Sequence, residues 1–407
     1  MKASDSSPRY VGKVRECCNY AVRSAKNFMQ NGDAGHRQPG GSGEAQLRDM
    51  LTKDLSVFCD EVTQEPFNTN QRAYFASNLL TFLFMLLTAA LAILAYFFDD
   101  YLVAAIIASF ATAILAFLAF FGVFGGTSKD IEEINVFAVR KPQSTVKHRV
   151  ILEANLDAPF KRRYSRGTEW AFRILTFIGI LLYLAFDVVV LLVQLGRLNF
   201  QYDNYILYGA FALVIFLLFP ILLMRTVAIN SSYPGVADNL IGAYTACGAL
   251  RYMSEMDLRL METELDVLLT SGKSDKNRGA RCFAKDHLAS LTETDTLVIC
   301  LDSIYDLETL NTANKGKKVT RLLDEAAENA DVLLTDHNPK YHKGDVKAFQ
   351  KAKIPAVSLT SLPDQPPAFY RSEEDGVDNL NVRAVEAAIK LCLEAAYRKD
   401  EDLTKFQ

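Results

Sequence analysis

Much that would mark a familiar enzyme is absent from these 407 residues. The seven cysteines (Cys17, Cys18, Cys59, Cys247, Cys282, Cys300 and Cys392) form no CxxC pair and no regular framework. That argues against a cysteine-built zinc site and suits reduced thiols on a cytosolic face. There is no Gly-x-Ser-x-Gly elbow, no P-loop and no dinucleotide fingerprint, which removes the common serine-hydrolase and nucleotide signatures. The first 70 residues carry no apolar h-region, so no cleavable secretory leader is expected. A formal net charge of −4 gives no basic surplus, and no nucleic-acid partner is expected. Internal repeats and low-complexity tracts are missing as well.

What the chain has is long runs without charge. Half of its residues, 50%, are apolar although 23% are charged, because the two kinds are segregated. Residues 79–98 and 101–124 are uncharged and are joined by Asp99-Asp100. Residues 174–195 and 206–224 form a second pair across a short polar link. At 1.5 Å per residue, a run of about 20 residues crosses the roughly 30 Å hydrocarbon layer. The pattern predicts four transmembrane helices in two hairpins. A hairpin returns the chain to the side it left, so all long polar segments share one side. Arg72, Lys129, Lys161, Arg162, Arg163, Arg166, Arg173 and Arg225 lie beside the spans on that side. The opposite loops carry Arg197 against Asp99, Asp100 and Asp203. The positive-inside rule then puts the polar part and both termini in the cytoplasm, in an integral, multi-pass protein whose first partner is the lipid bilayer. Asp187 interrupts the third span. It is either a polar site between the hairpins or, more simply, an acid that hydrogen-bonds a neighbouring helix. Pro220 is expected to kink the fourth span.

The polar remainder shows short apolar runs alternating with amphipathic stretches. Residues 8–30 and a segment starting at Ser42-Gly43-Glu44 read as helices separated by a loop. Strands are expected at 134–139, 149–154, 265–270, 296–302, 332–335 and 356–360. Helices are expected at 237–253, 280–288, 320–330, 347–353 and 382–398. Such alternation indicates an α/β fold with a mostly parallel sheet flanked by helices. In such sheets functional residues sit on loops past the strand ends.

A set of motifs falls at those places. They are His36-Arg-Gln-Pro-Gly-Gly-Ser-Gly-Glu44, the strand His148 to Asp157, Pro234-Gly-Val-Ala-Asp-Asn-Leu-Ile-Gly242 and Arg278-Gly-Ala-Arg-Cys-Phe283. Leu297 to Asp302, Thr335-Asp-His337, Ile354 to Leu359 and Tyr370-Arg-Ser-Glu-Glu-Asp375 complete them. Taken in order they resemble an M28-type zinc aminopeptidase domain. The resemblance implies a zinc-exopeptidase-like (phosphorylase/hydrolase-like) fold built from 1–75, 129–166 and 228–400. The membrane hairpins 79–124 and 174–224 would then be insertions.

The family's chemistry requires two zinc ions, a bridging carboxylate and a free glutamate base. By that resemblance Asp238 is the bridging position and Asp302 the fourth ligand, both kept as carboxylates. The remaining ligand positions carry Asn155, Ser274 and Arg371. The base position carries Lys273, and Asp157 keeps the acid that would orient a ligand. Lys273 and Arg371, if they face the site, pair with Asp238 and Asp302, so fixed cations replace bound ions. No cofactor is expected on this reading, and zinc is the alternative, with His337 as a further ligand beside Asp302. His342 is the other imidazole nearby. Two functions follow. One is a membrane-anchored, catalytically inactive homologue acting as a scaffold or binding protein, with a protein or peptide partner. The other is a membrane-bound, metal-dependent aminopeptidase or hydrolase with a rearranged site. A transport role would rest on Asp187 alone.

Overall fold

The computed structural model describes residues 2–70, 73–97, 102–124, 131–198, 204–313, 317–342 and 344–401. Arg72, Asp99, Asp100, Lys129 and Asp203, used in the charge argument, lie outside the described residues. The chain divides into two compact units. One is Met1–Thr69, Ile131–Lys161 and Asn230–Gln407; the other is Asn70–Asp130 and Arg162–Ile229.

Along the chain, α1 (Tyr10–Asn31), α2 (Ser42–Phe58) and β1 (Glu61–Thr69) precede the apolar helices α3 (Ala73–Phe97) and α4 (Leu102–Phe120). Strands β2 (Ile131–Arg140), β3 (His148–Asn155) and β4 (Phe160–Arg162) follow, then α5 (Arg166–Gln194), α6 (Asn204–Val214) and α7 (Leu218–Met224). After β5 (Val227–Ser232) come α8 (Ile241–Glu255), β6 (Thr263–Thr270), α9 (Arg278–Asp286), α10 (Leu288–Glu293) and β7 (Asp295–Leu301). The chain continues with β8 (Asn311–Ala313), α11 (Lys317–Ala330), α12 (Val346–Lys351), β9 (Ala356–Thr360) and α13 (Val382–Glu401).

The main sheet of the larger unit has the order β1-β2-β6-β3-β7-β9-β8, and β4 pairs with β5 separately. β6, β3, β7 and β9 are mutually parallel, while β1, β2 and β8 join antiparallel. The expected α/β fold with a mostly parallel sheet is therefore present. Alternation along β3 explains why the centre is apolar on both sides. Val150, Leu152 and Ala154 enter the core shared with α1, α2, α8 and α13, while Ile151 enters the opposite core with α9 and α12. All eight residues of β6 are buried, and its apolar members Leu265, Val267, Leu268 and Leu269 divide between the two cores.

Three expectations change. The run 332–335 is not a strand; only Thr335 makes an isolated bridge, to Asn311 of β8. The helix expected from 237 starts at Ile241, because Asp238 (φ −116°, ψ 75°) and Asn239 (φ −148°, ψ 38°) have non-helical backbones. In the smaller unit three helices among the described residues are long and apolar enough to cross a membrane: Ala73–Leu94, Val103–Phe120 and Arg166–Val193. The fourth expected span is not one unbroken α-helix: α6 and α7 are separated by a 3-10 turn at Ile215–Leu217, and its described apolar stretch is Tyr208–Met224. Pro220 accounts for the break, since its missing N–H leaves the carbonyl four residues earlier unbonded and its ring crowds that carbonyl.

Within the smaller unit, Asp187 is buried and Ser109 Oγ donates to its Oδ1 at 2.6 Å. The same hydroxyl lies 3.1 Å from the Thr88 carbonyl, and Thr88 and Thr112 hydroxyls are 2.9 Å apart. Asp187 is thus an interhelical hydrogen-bonding group linking α5 to α4 through Ser109, and it is Ser109 that also meets α3, at Thr88. Large apolar side chains such as Val103, Ile107 and Phe211 remain exposed, as on a surface that meets lipid.

Candidate functional site

Parallel pairing puts the C-terminal ends of β3, β6 and β7 at one edge of the sheet. Asn155 ends β3, and Asp157 lies two residues beyond. Lys273 follows β6 after a turn in which Gly272 has φ +70°, a left-handed value that glycine adopts at no steric cost. Asp302 directly follows β7. The loop before α8 supplies Asp238, and the loop before α13 supplies Arg371.

Lys273 stands at the centre. Its Nζ donates to Asn155 Oδ1, Asp238 Oδ1 and Asp302 Oδ1, each at 2.9 Å. An ammonium has three protons, and here each has an acceptor. The side chain is only 7% exposed, so these bonds are made away from water. Asp157 holds the lysine's backbone instead of a ligand: Lys273 N donates to its Oδ1 at 3.2 Å and Ser274 N to its Oδ2 at 3.4 Å. Ser274 itself is exposed and contributes only that amide.

Asp238 is occupied on both sides. Arg371 Nε donates to its Oδ2 at 2.7 Å, and the guanidinium lies 5.0 Å from the Tyr370 ring centre. Asp302 Oδ2 is 2.5 Å from His342 Nε2, whose Nδ1 is 3.2 Å from the Tyr370 hydroxyl. The imidazole beside Asp302 is therefore His342. His337, the expected candidate, bonds Asp364 at 3.4 Å on the surface. Gly344 lets the histidine loop come close, since a Cβ there would lie 2.6 Å from Asp302 Oδ2.

Two groups quoted only as motif members turn out to brace the site. Arg37 is fully buried and donates to the carbonyls of Leu156, Pro234 and Gly235 at 3.0–3.2 Å, tying the β3 loop to the Asp238 loop. Asp375 accepts from the amides of Ala237 at 2.8 Å and Asp238 at 3.3 Å. Asn239 Nδ2 reaches the Leu301 carbonyl at 2.6 Å, and its Oδ1 accepts from Ser303 N at 3.1 Å. Sequence order carries Arg37 and Asp375 into the motifs, but nothing in their spacing states this role.

The electrostatics follow from the contacts. Burial raises the pKa of Asp238, but Lys273, Arg371 and His342 outweigh it and hold the carboxyl below the usual range. Burial likewise opposes ionisation of Asp302, and His342 and Lys273 bring it down to about 2. Lys273 loses hydration on burial, yet Asp238 and Asp302 hold its pKa well above the ordinary lysine value. Arg371 is raised in the same way, chiefly by Asp238 against its own burial. Asp157 and Asp375 lie outside these pairs, and burial raises each to about 7.

These donors do not fit a dinuclear zinc centre. The space between the two retained carboxylates is taken by an ammonium, Asn155 offers a neutral amide, and Arg371 is a cation. Among the described residues, no group of three or more His, Cys, Asp or Glu side chains is arranged to hold a metal ion.

The model of peptidase family M28 matches residues 225–396. No curated protein sequence matches the chain. Among solved structures, the aminopeptidase from Aneurinibacillus sp. strain AM-1 is similar, with a TM-score of 0.55 and 10% identity over 96% of this chain and 96% of that one. A glutaminyl cyclase from Fimbriiglobus ruber aligns with a TM-score of 0.54 and 12% identity over 94% and 95%. A Zn-dependent exopeptidase from Parabacteroides distasonis gives 0.54 and 11% over 93% and 97%. At such identities the likeness is one of fold.

Proposed function

Starting from a chain that carries a peptidase family M28 domain, we propose that it is a catalytically inactive member of that group, anchored in the membrane and acting as a scaffold or binding protein. One observation carries the proposal: Lys273 Nζ lies 2.9 Å from Asn155, Asp238 and Asp302, among the positions that resemble zinc ligands. Two-metal hydrolysis needs cations that lower the pKa of a bound water and polarise a carbonyl. An ammonium has no vacant orbital with which to coordinate a water, and the three protons of Lys273 Nζ are already given to Asn155, Asp238 and Asp302, so none is left to polarise a carbonyl. The base position is that same lysine, whose neighbours keep it protonated, so it accepts no proton from water. Arg371, 30% exposed, leaves a cationic lip on the cleft. Planar, two-pronged donation suits a peptide carboxylate or acidic side chain there. Helices α3, α4 and α5 serve as the anchor, with the M28 domain on the cytoplasmic side.

Purified full-length protein, loaded with zinc and gel-filtered, tests the inactive reading. The expected result is no stoichiometric zinc and no chelator-sensitive hydrolysis of aminoacyl arylamides. A finding of about two zinc ions per chain would sink it. For the binding role, chemical crosslinking in native membranes should yield one reproducible adduct that Arg371→Ala removes.

A further inference from the structure

The smaller unit carries an uneven charge pattern that its helix packing does not use. Arg162, Arg163, Arg166, Arg173 and Arg225 are all exposed, and they come together because α5 begins where α7 ends: Arg163 N donates to the Thr226 carbonyl at 2.9 Å. Glu169 engages two of them, Arg162 at 2.5 Å and Arg173 at 3.7 Å. Among the described residues, Arg163, Arg166 and Arg225 have no carboxylate within ion-pair distance, so they face solvent uncompensated.

The outer stripe of α5 shows what that solvent borders on. Arg166, Trp170, Arg173 and Ile174 recur at helical spacing, followed by Ile178 and Leu181. Trp170 is 67% exposed, and Ile174, Ile178 and Leu181 are 52%, 39% and 46% exposed. The stripe passes from cations and indole (Arg166, Trp170, Arg173) to aliphatic side chains (Ile174, Ile178, Leu181) within about 22 Å of helix. That is the polarity gradient of a headgroup layer grading into acyl chains, and an exposed indole prefers that boundary. Tyr164 packs on Phe172, and Arg173 lies over the Tyr74 ring, adding aromatic surface at the same end.

We propose that this arginine end is a binding surface for the phosphate headgroups of anionic phospholipids, with Trp170 at the headgroup boundary. The inference rests on the reading that α3, α4 and α5 lie in a bilayer. Arg163, Arg166 and Arg225 supply the charge complementarity. Basic side chains beside a membrane gain from an anionic leaflet, and guanidinium pairs with phosphate in a two-pronged way.

Trp170 is the single tryptophan of the chain, so its fluorescence reports on this end without any mutation. Full-length protein in vesicles of phosphatidylcholine with phosphatidylglycerol is compared with brominated acyl chains placed on one lipid or the other, at equal mole fraction. Brominated phosphatidylglycerol should quench Trp170 about threefold more strongly. The triple variant Arg163→Gln, Arg166→Gln, Arg225→Gln should equalise the two, and inorganic phosphate at matched ionic strength should change nothing. Equal quenching in the wild type overturns the headgroup preference, as does a preference that survives the triple variant. A preference erased by inorganic phosphate points to a soluble-anion site and also overturns it. Absence of quenching by both lipids removes the bilayer reading underneath.

Discussion

At the scale of single residues, Lys273 has the most to lose. Methionine at this position keeps much of the stem but removes the charge, leaving Asp238 and Asp302 facing each other in a buried cleft with one partner gone. Breaking a buried ion pair from one side costs about 3–5 kcal/mol. Lys273→Met is expected to lower stability by that order in chemical denaturation. Lys273→Ala opens the space as well, and Asp238, Asp302 and His342 then become available donors. Millimolar zinc should raise the melting temperature of Lys273→Ala and leave the wild type unmoved, because an ion that binds only the folded form stabilises it. The motif order aligns Lys273 with a base position and allows it to pair with acids. It does not state that three acceptors converge on one nitrogen, which depends on how Gly272 turns the chain after β6. Nor does it distinguish His342 from His337, since both sit in an irregular segment where no periodicity says which imidazole points inward.

Elements differ in how plainly they announce themselves. β3, β6, β7 and β9 each contain a short apolar run in a strand buried on both faces, and a run of that kind is readable in sequence. β1 is the sheet edge, largely exposed, polar, and interrupted by Pro66, and so it gives no apolar signal. The run 332–335 looks like a strand, yet its neighbour β8 is only three residues long and too short to build a ladder with it. α8 shows packing at its tightest: every residue from Ile241 to Leu250 is buried, and a Cβ on Gly242 would lie 2.5 Å from the Leu301 carbonyl. Gly242→Ala is therefore expected to destabilise by about 1–3 kcal/mol through overpacking, measured by urea unfolding. Ala243→Gly in the same helix creates no such clash and serves as the comparison. In the smaller unit, Ser109→Ala deletes the donor to Asp187 and should weaken helix association by about 1 kcal/mol, read as earlier thermal aggregation in detergent.

For the molecule as a whole, the buried acids set the response to pH. Asp157 and Asp375 are raised to about 7 by burial, and Glu133 to about 10 by burial and the neighbouring Glu44. In the unfolded chain, aspartates and glutamates titrate near 4 (about 3.9 and 4.3). Between these values the folded state holds protons that the unfolded state has released, so stability falls as pH rises from about 4 through 7 and beyond. Asp238 and Asp302 act in the opposite sense. Their folded values lie below the unfolded one, so what they contribute is present above about 4 and lost as pH falls towards about 2. The denaturation midpoint should peak near pH 5 and decline by pH 8, and Asp157→Asn should flatten that alkaline limb. A midpoint that rises steadily from pH 5 to 8 contradicts this assignment. A last consequence concerns supply. A covalently attached cation at the heart of the cleft is made with the chain, so neither scarcity of trace elements nor a competing scavenger can take it away, and the variable in the surroundings to which this cleft answers is acidity.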